Sequence, residues 1–137
     1  MKKIKFYSLL FLINTAMIFS SLFGCKSVDK PFKSLSVNEF EQSLNNATDV
    51  ICLDVRSNEE YAAGHIPGAI NIDVLQPDFE SNCIKRLSKD HTIAVYCRSG
   101  KRSKKAAQIL SKQHFQVIEL NDGFLGWTQK SKPVSLE

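Results

Sequence analysis

Short apolar runs alternate with segments of helical spacing along most of the chain. Residues 50–53 and 92–96 are nearly continuous apolar runs, which are typical of strands buried on both faces of a sheet. Further strands are predicted at residues 69–72 and 117–120. Because helical segments separate these strands, the pattern predicts βαβ units and a largely parallel sheet.

Two of the predicted helices begin with the same local signal. Residues 36–39 and 57–60 both read Ser-x-x-Glu, the capping box in which the two side chains satisfy free N–H groups of the first turn. Phe40 and Leu44 continue the apolar spacing of the first helix, which we expect to have about ten residues. The second helix is short, and Gly64 is placed to end it.

Three more helices are predicted in the second half of the chain. The first covers residues 78–87, with either Cys83 or Ile84 on its apolar side. The next has Ser103 as its N-cap. Its apolar face consists of Ala106, Ala107, Ile109 and Leu110. The last is short and carries Trp127.

The chain begins with the order of segments typical of a secretory signal. Residues 1–5 are positively charged, and residues 6–23 are apolar apart from a few polar side chains. The segment 22–25 resembles a bacterial lipobox, in which the cysteine becomes lipidated and forms the new N-terminus. We therefore expect residues 1–24 to be a lipoprotein signal peptide and Cys25 to be the lipidation site.

The same assignment predicts the organisation of the rest of the chain. Residues 25–33 are expected to be a lipidated tether and residues 34–137 a single domain. The expected location is the cell envelope, on the periplasmic or another extracytoplasmic face of a bacterial membrane. An uncleaved membrane anchor is the alternative, because residues 6–23 are nearly long enough to span a bilayer.

Charge and cysteine content narrow the possible functions. The sequence has 18 basic and 14 acidic residues, and three of the basic residues lie in residues 1–24. The rest of the chain is therefore almost neutral. Its charge gives no reason to expect a nucleic-acid partner. If Cys25 carries lipid, an odd number of thiols remains, namely Cys52, Cys83 and Cys97. No Cys or His spacing suits zinc, so we expect no metal site.

The positive charge that remains is concentrated in the loop after Cys97. Backbone N–H groups in a tight turn form an anion-binding concavity, and the positive end of the next helix dipole lies beside it. Arg98, Lys101 and Arg102 add full charges, and Lys104 and Lys105 follow. These features favour the thiolate, which is the nucleophilic form of cysteine, so the loop suits attack on a small anion. The alternative is a buried strand-end cysteine beside an ordinary basic turn.

Three separate segments resemble the signatures of rhodanese-like domains. The first segment consists of residues 53–56, 60–61 and 64–72. The second is the loop 97–103, and the third is residues 123–127, which follow Leu120. The resemblance implies an α/β fold, a single rhodanese-like domain with a parallel five-stranded sheet flanked by helices on both faces. It also implies a sulfurtransferase that needs no metal or organic cofactor.

The resemblance implies a role for each residue of the loop. Cys97 would be the catalytic nucleophile, taking a sulfane sulfur from thiosulfate or a persulfide and passing it to a thiol or cyanide. The residues implied to bind the anionic donor are Arg98, Ser99, Gly100, Lys101, Arg102 and Ser103. A sulfur-relay or reductant protein is a possible further partner, and the lipid would bind the membrane.

Loop length separates this interpretation from a cysteine phosphatase or arsenate reductase. Related phosphatases place five residues between the cysteine and an arginine. Here Ser103 occupies the position six after Cys97, and Arg102 comes one residue earlier. The shorter loop should suit a sulfur atom better than a tetrahedral phosphate, so phosphatase or arsenate reductase activity is the weaker alternative.

Four residues outside the loop are expected to support the site. Asp54, Arg56 and Glu60 follow a strand end, where they lie either at the substrate mouth or, preferably, in an ion pair that fastens the helix to the strand. His65 is expected to hold backbone geometry. Cys83 is either a resolving thiol for Cys97 or, more commonly for such a position, part of the core.

The sequence is therefore compatible with three functions. The first is a thiosulfate or persulfide sulfurtransferase. The second is a module that carries persulfide sulfur or a redox-active thiol for a partner protein, without turnover. The third is a membrane-tethered interaction domain with no chemistry, which the intact Cys97 loop disfavours.

Overall fold

The computed structural model describes residues 30–136. Strands and helices alternate along this part of the chain. In chain order they are β1 Lys33–Leu35, α1 Val37–Asn46, β2 Val50–Asp54, α2 Asn58–Ala62, β3 Ile70–Asn71, α3 Phe79–Arg86, β4 Thr92–Tyr96, α4 Lys101–Lys112, β5 Gln116–Leu120 and α5 Gly123–Gln129.

The strands form one sheet in the order β1-β5-β4-β2-β3, and every neighbouring pair is parallel. The central strands β2 and β4 pair along their full length, from Val50 opposite Thr92 to Asp54 opposite Tyr96. Both strands therefore end at the same edge of the sheet. The predicted parallel five-stranded sheet is confirmed.

Helices cover both faces of the sheet, as predicted. One apolar cluster joins strand residues such as Leu53 and Val95 to α3 and α4. The other joins the alternate strand residues, such as Cys52 and Ala94, to α1 and α5. Because successive side chains of a strand point to opposite faces, buried strands of this kind need apolar residues at nearly every position.

The two capping boxes are confirmed. The side chains of Ser36 and Ser57 each accept a hydrogen bond from the backbone N–H three residues later. The glutamate side chains at those later positions accept a hydrogen bond from the backbone N–H of the serine. Of the two residues considered for the apolar side of α3, Cys83 is buried and Ile84 is exposed.

Two local predictions differ from the structure. Ser103 is not the N-cap of α4, because that helix begins two residues earlier and Gly100 occupies the cap position with φ 97°. This left-handed backbone suits glycine and lets the loop enter the helix at once. The three-residue strand β1 was not predicted, because its sequence, Lys-Ser-Leu, has no apolar run.

The predicted signal peptide and the lipidation site Cys25 lie outside the described residues. Lys33, assigned to the tether, is the first residue of β1, while the division into tether and domain stays a prediction. Among residues 30–136, none of the helices has the length and apolar character needed to cross a membrane.

Candidate active site

Cys97 directly follows β4, at the edge where the central strands end. Its side chain is buried, with 1% exposed. The backbone N–H of Gly100 donates a hydrogen bond to Cys97 Sγ at 3.1 Å, and Sγ in turn lies 3.4 Å from Ser103 Oγ. The sulfur is therefore held between the loop and the first turn of α4, whose N-terminus carries partial positive charge.

The beginning of α5 holds this loop in place. The N–H groups of Phe124 and Leu125 donate to the carbonyl oxygens of Cys97 and Arg98 at 2.8 and 3.0 Å. Gly123, with φ 60°, makes this approach possible, since a Cβ there would lie 2.5 Å from the Arg98 oxygen. The close approach of α5 to the loop thus explains why a glycine stands at the start of the segment 123–127.

The cations of residues 98–105, in the loop and the first turns of α4, fall into two groups. Arg102 donates two hydrogen bonds to Glu60, at 2.7 and 2.8 Å, and Lys104 lies 3.3 Å from Glu119. The other three cations are exposed and, within the part of the chain that the structure describes, have no side-chain hydrogen bond or ion pair; they are Arg98, Lys101 and Lys105. These three remain available to an anion, and Ser99 beside them is also exposed.

Glu119 is the site residue that the sequence analysis missed. It is fully buried in β5 and accepts a 2.6 Å hydrogen bond from Ser103, the residue that also contacts the sulfur of Cys97. Its signal was present, because a charged residue inside a buried strand requires a specific partner.

Asp54 and Arg56 form a buried ion pair. The guanidinium of Arg56 contacts both carboxylate oxygens of Asp54, with a shortest distance of 2.6 Å, and donates to the Gly64 oxygen at 2.7 Å. Its central carbon also lies 4.2 Å from the centre of the Phe124 ring. The pair thus connects the end of β2 to the segment after α2 and to α5.

Glu60 is paired with Arg102 of α4, so it joins α2 to α4 and does not fasten the helix to the strand end as expected. The ring of His65 stacks on the ring of Tyr61, with ring centres 3.7 Å apart. The Nδ1 atom of His65 lies 3.0 Å from the backbone carbonyl oxygen of Tyr61. These contacts agree with the supporting role that was predicted for Glu60 and His65. That role stays a prediction.

The other two thiols among the described residues lie in the apolar core. Cys52 and Cys83 are free and buried. Burial raises the pKa of Cys83 to about 12 and also raises the pKa of Cys52. Neither residue is therefore suited to form a thiolate at neutral pH. Among residues 30–136, no group of three or more His, Cys, Asp or Glu side chains is arranged to hold a metal ion.

Comparison with known proteins identifies similar chains. Residues 36–130 match the family described as Rhodanese-like domain. The thiosulfate sulfurtransferase GlpE of Shewanella oneidensis is 36% identical over 97 residues, covering 70% of this chain and 92% of that protein. A Bacillus subtilis protein named "Putative sulfur carrier protein YrkF" is 34% identical over 99 residues, which are 72% of this chain but only 52% of that one.

Solved structures show the same fold. The BH2092 protein of Bacillus halodurans superposes with a TM-score of 0.67 at 29% identity, covering 75% of this chain and 76% of that one. A rhodanese-related protein from Thermoplasma volcanium gives a TM-score of 0.65 at 27% identity, covering 77% of this chain and all of that chain.

Proposed function

The chain belongs to the rhodanese-like domain family, and we propose that it transfers a sulfane sulfur through a persulfide on Cys97. The observation that carries this proposal is the position of the sulfur. It accepts a hydrogen bond from the Gly100 N–H at the start of α4, and three nearby cations in the sequence, Arg98, Lys101 and Lys105, are exposed and have no side-chain partner among the described residues. A site of this kind binds an anion and stabilises negative charge on sulfur.

The proposed reaction has two steps. The Cys97 thiolate forms a bond to the outer sulfur of thiosulfate, the S–S bond of thiosulfate breaks, and sulfite leaves with the electron pair. Cyanide or a thiolate then attacks the outer sulfur of the persulfide, and Cys97 leaves as a thiolate. A small-molecule persulfide replaces thiosulfate as donor by the same exchange of bonds.

The anionic donor accounts for the cations of the loop. Arg98 and Lys101 follow Cys97 in sequence and face solvent, where they attract a dianion such as thiosulfate. Arg102 already donates both of its terminal nitrogens to Glu60. Arg102 is the arginine nearest the position that a cysteine phosphatase uses for the phosphate, so its pairing with Glu60 disfavours phosphatase chemistry.

A sulfur carrier is the second candidate function. The buried position of Cys97, which is 1% exposed, favours it, because a persulfide that small acceptors reach slowly keeps its sulfur until a partner protein takes it. The likeness to YrkF, whose printed name calls it a sulfur carrier, points the same way. In this case a partner protein would receive the sulfur, and small acceptors would react slowly.

The test uses purified full-length protein and the Cys97→Ser variant. A transferase forms thiocyanate from thiosulfate and cyanide at a rate that the variant loses, and mass spectrometry finds one added sulfur on Cys97. A Cys83→Ser variant is the control and should keep the activity. An adduct without turnover supports the carrier, and no adduct from thiosulfate or a small-molecule persulfide contradicts both functions.

We also propose that the protein is anchored at the cell envelope by lipid on Cys25. The basic, apolar and Gly-Cys segments at the start of the sequence support this location. Incorporation of a labelled fatty acid in bacteria, and its loss in Cys25→Ser, would test the proposal. Equal labelling of the variant would contradict it.

A further inference from the structure

Four of the first five residues of α4 are cations, namely Lys101, Arg102, Lys104 and Lys105. Cations at this end of a helix oppose its dipole, and like charges four positions apart repel each other. Carboxylates of the protein compensate two of these cations, since Arg102 pairs with Glu60 and Lys104 with Glu119. Lys101 and Lys105 are exposed and have no carboxylate partner among the described residues.

The exposed cations extend further than a small anion at Cys97 would contact. Arg98 and Lys101 belong to the loop and its junction with α4, but Lys105 lies one helical turn beyond Lys101, about 6 Å further along the axis. Positions four residues apart share one face of a helix, so Lys101 and Lys105 form a continuous row. Binding of thiosulfate gives no reason for a cation at Lys105.

The helix α5 adds an apolar side chain to this area. The N–H of Leu125 donates to the carbonyl oxygen of Arg98 at 3.0 Å, and Leu125 is 41% exposed. Arg98, Lys101, Lys105 and Leu125 are called the cationic surface below. The exposed acid beside it is Asp122, at the N-cap of α5, so three cations outweigh one carboxylate.

We propose that the cationic surface docks a protein that presents an acceptor thiol within an acidic patch. The inference rests on the proposed function, because the Cys97 persulfide is the sulfur donor. The partner's thiolate attacks the outer sulfur, the S–S bond breaks, and Cys97 leaves as a thiolate, so that the partner carries the new persulfide. Acidic side chains of the partner pair with the free cations, and an apolar side chain covers Leu125.

The burial of Cys97 explains why an acceptor needs a docking surface. Cys97 is 1% exposed, so a thiol that meets the protein in an arbitrary orientation rarely reaches its sulfur. Complementary charge raises the frequency of encounters and orients the partner. Docking then holds the acceptor thiol at the loop, which makes the transfer effectively unimolecular.

The path of the chain before β1 favours a protein partner over an anionic membrane surface. The backbone oxygen of Pro31 accepts a hydrogen bond from Ser111 Oγ at 3.0 Å. Ser111 lies ten residues after Lys101 in α4, which is about 15 Å along the helix axis. The chain therefore enters the domain near the end of α4 that is opposite to the cations. A domain anchored from that end presents the cationic surface to soluble partners.

Sulfur transfer to two synthetic peptides tests this inference in the full-length protein. One peptide has a single cysteine flanked by glutamates, and the other has glutamines at the same positions. The Cys97 persulfide is formed with a small-molecule persulfide, the excess is removed, and mass spectrometry follows the sulfur onto each peptide. Each rate is normalised to the reaction of that peptide with the free persulfide. We expect the acidic peptide to be about tenfold faster at low salt and this ratio to approach one at high salt.

Lys105→Gln is the informative variant, because Lys105 lies beyond the small-donor site. It should lower the ratio of the two rates about threefold, and Lys105→Glu should lower it about tenfold. Lys112→Gln is the matched control, since it makes the same change at an exposed lysine at the other end of α4, and it should leave the ratio unchanged. Vesicles of phosphatidylglycerol should slow transfer to the acidic peptide no more than vesicles of phosphatidylcholine.

The outcomes separate this inference from the proposed function. Equal normalised rates for the two peptides, or equal changes in Lys105→Gln and Lys112→Gln, overturn the inference and leave the cations as a solvated helix face. Slowing by phosphatidylglycerol vesicles alone, if it is lost in Lys105→Gln, assigns the surface to a membrane and also overturns it. In these cases a Cys97 persulfide and thiocyanate formation still support the proposed function. A wild-type protein that forms no persulfide contradicts the proposed function and the inference with it.

Discussion

Glu60 and Arg102 join α2 to α4 through two charge-assisted hydrogen bonds of 2.7 and 2.8 Å. The residues are 42 positions apart in the chain. Both are partly exposed, at 30% and 24%. The hydrogen bonds from Arg102 lower the pKa of Glu60 from 4.5 to about 2. The pair holds the helix that begins at the Cys97 loop against the helix that follows β2.

Replacing Glu60 by Gln should reduce the free energy of unfolding by about 1 kcal/mol at pH 7, because a partly exposed pair contributes no more. A carboxyl whose pKa is depressed on folding stabilises the protein above its unfolded pKa. The difference between wild type and variant should therefore persist down to about pH 4.5 and disappear towards pH 2.

Urea denaturation at several pH values between these limits measures this difference. Asp90→Asn is the control, since the Asp90 side chain is exposed and has no hydrogen bond or ion pair among the described residues. A difference that stays constant between pH 7 and pH 2 would show that the pair contributes no linked protonation.

Neutralising the unpaired cations should weaken the use of an anionic donor. We expect Arg98→Gln and Lys101→Gln each to lower kcat/KM for thiosulfate by about three- to tenfold and to reduce its dependence on salt. Lys112→Gln, at the far end of the same helix, is the control and should have no effect. Equal losses in all three variants would argue against a local donor site.

Gly100→Ala should destabilise the protein and disrupt the site. The residue has φ 97°, and an added Cβ would lie 2.3 Å from the Asn121 oxygen. Backbone strain and overpacking together should cost about 3 kcal/mol, and the loop N–H that contacts the sulfur should move. We expect loss of sulfur transfer at temperatures where the variant is still folded.

Gly68→Ala is the matched comparison for this variant. Gly68 has a similar φ of 78°, but nothing lies within 4 Å of its added Cβ. It should lose about 1 kcal/mol from backbone strain alone and keep its activity. Chemical denaturation and thiocyanate formation measure both variants, and equal losses would mean that contact with Asn121 has no effect.

Cys83 should not act as a resolving thiol. It is 1% exposed, and burial raises its pKa to about 12. Cys83→Ala should therefore keep full sulfur transfer and lose about 1 kcal/mol of stability through reduced apolar burial. Peptide mapping after mild oxidation of the folded wild type should find no Cys83–Cys97 disulfide, and finding one would restore the resolving role.

Signals that act over a few residues were predictable from the sequence. Ser36 and Ser57 cap their helices because their glutamates are three residues away, and the apolar runs form the central strands because both faces are covered. Gly100 and Gly123 were recognised as parts of motifs, but the reason for each glycine lies in a distant backbone oxygen.

The partners of the charged residues were not predictable, because they depend on how the elements pack. Ser103 looked like a helix cap and is instead a buried link between Cys97 and Glu119. The strand β1 exists because β5 offers its edge, and β1 brings Ser34 to Glu119 from 85 positions away.

The sequence by itself determined the order of all strands and helices except β1, the parallel sheet and the place of Cys97 after β4, because local hydrogen bonding and apolar spacing specify these features. Only the tertiary structure decided which cations pair with carboxylates and which carboxylate accepts the hydrogen bond of Ser103 beside Cys97. Those choices follow from distances between side chains that folding brings together, and electrostatic effects on Cys97 depend on those distances.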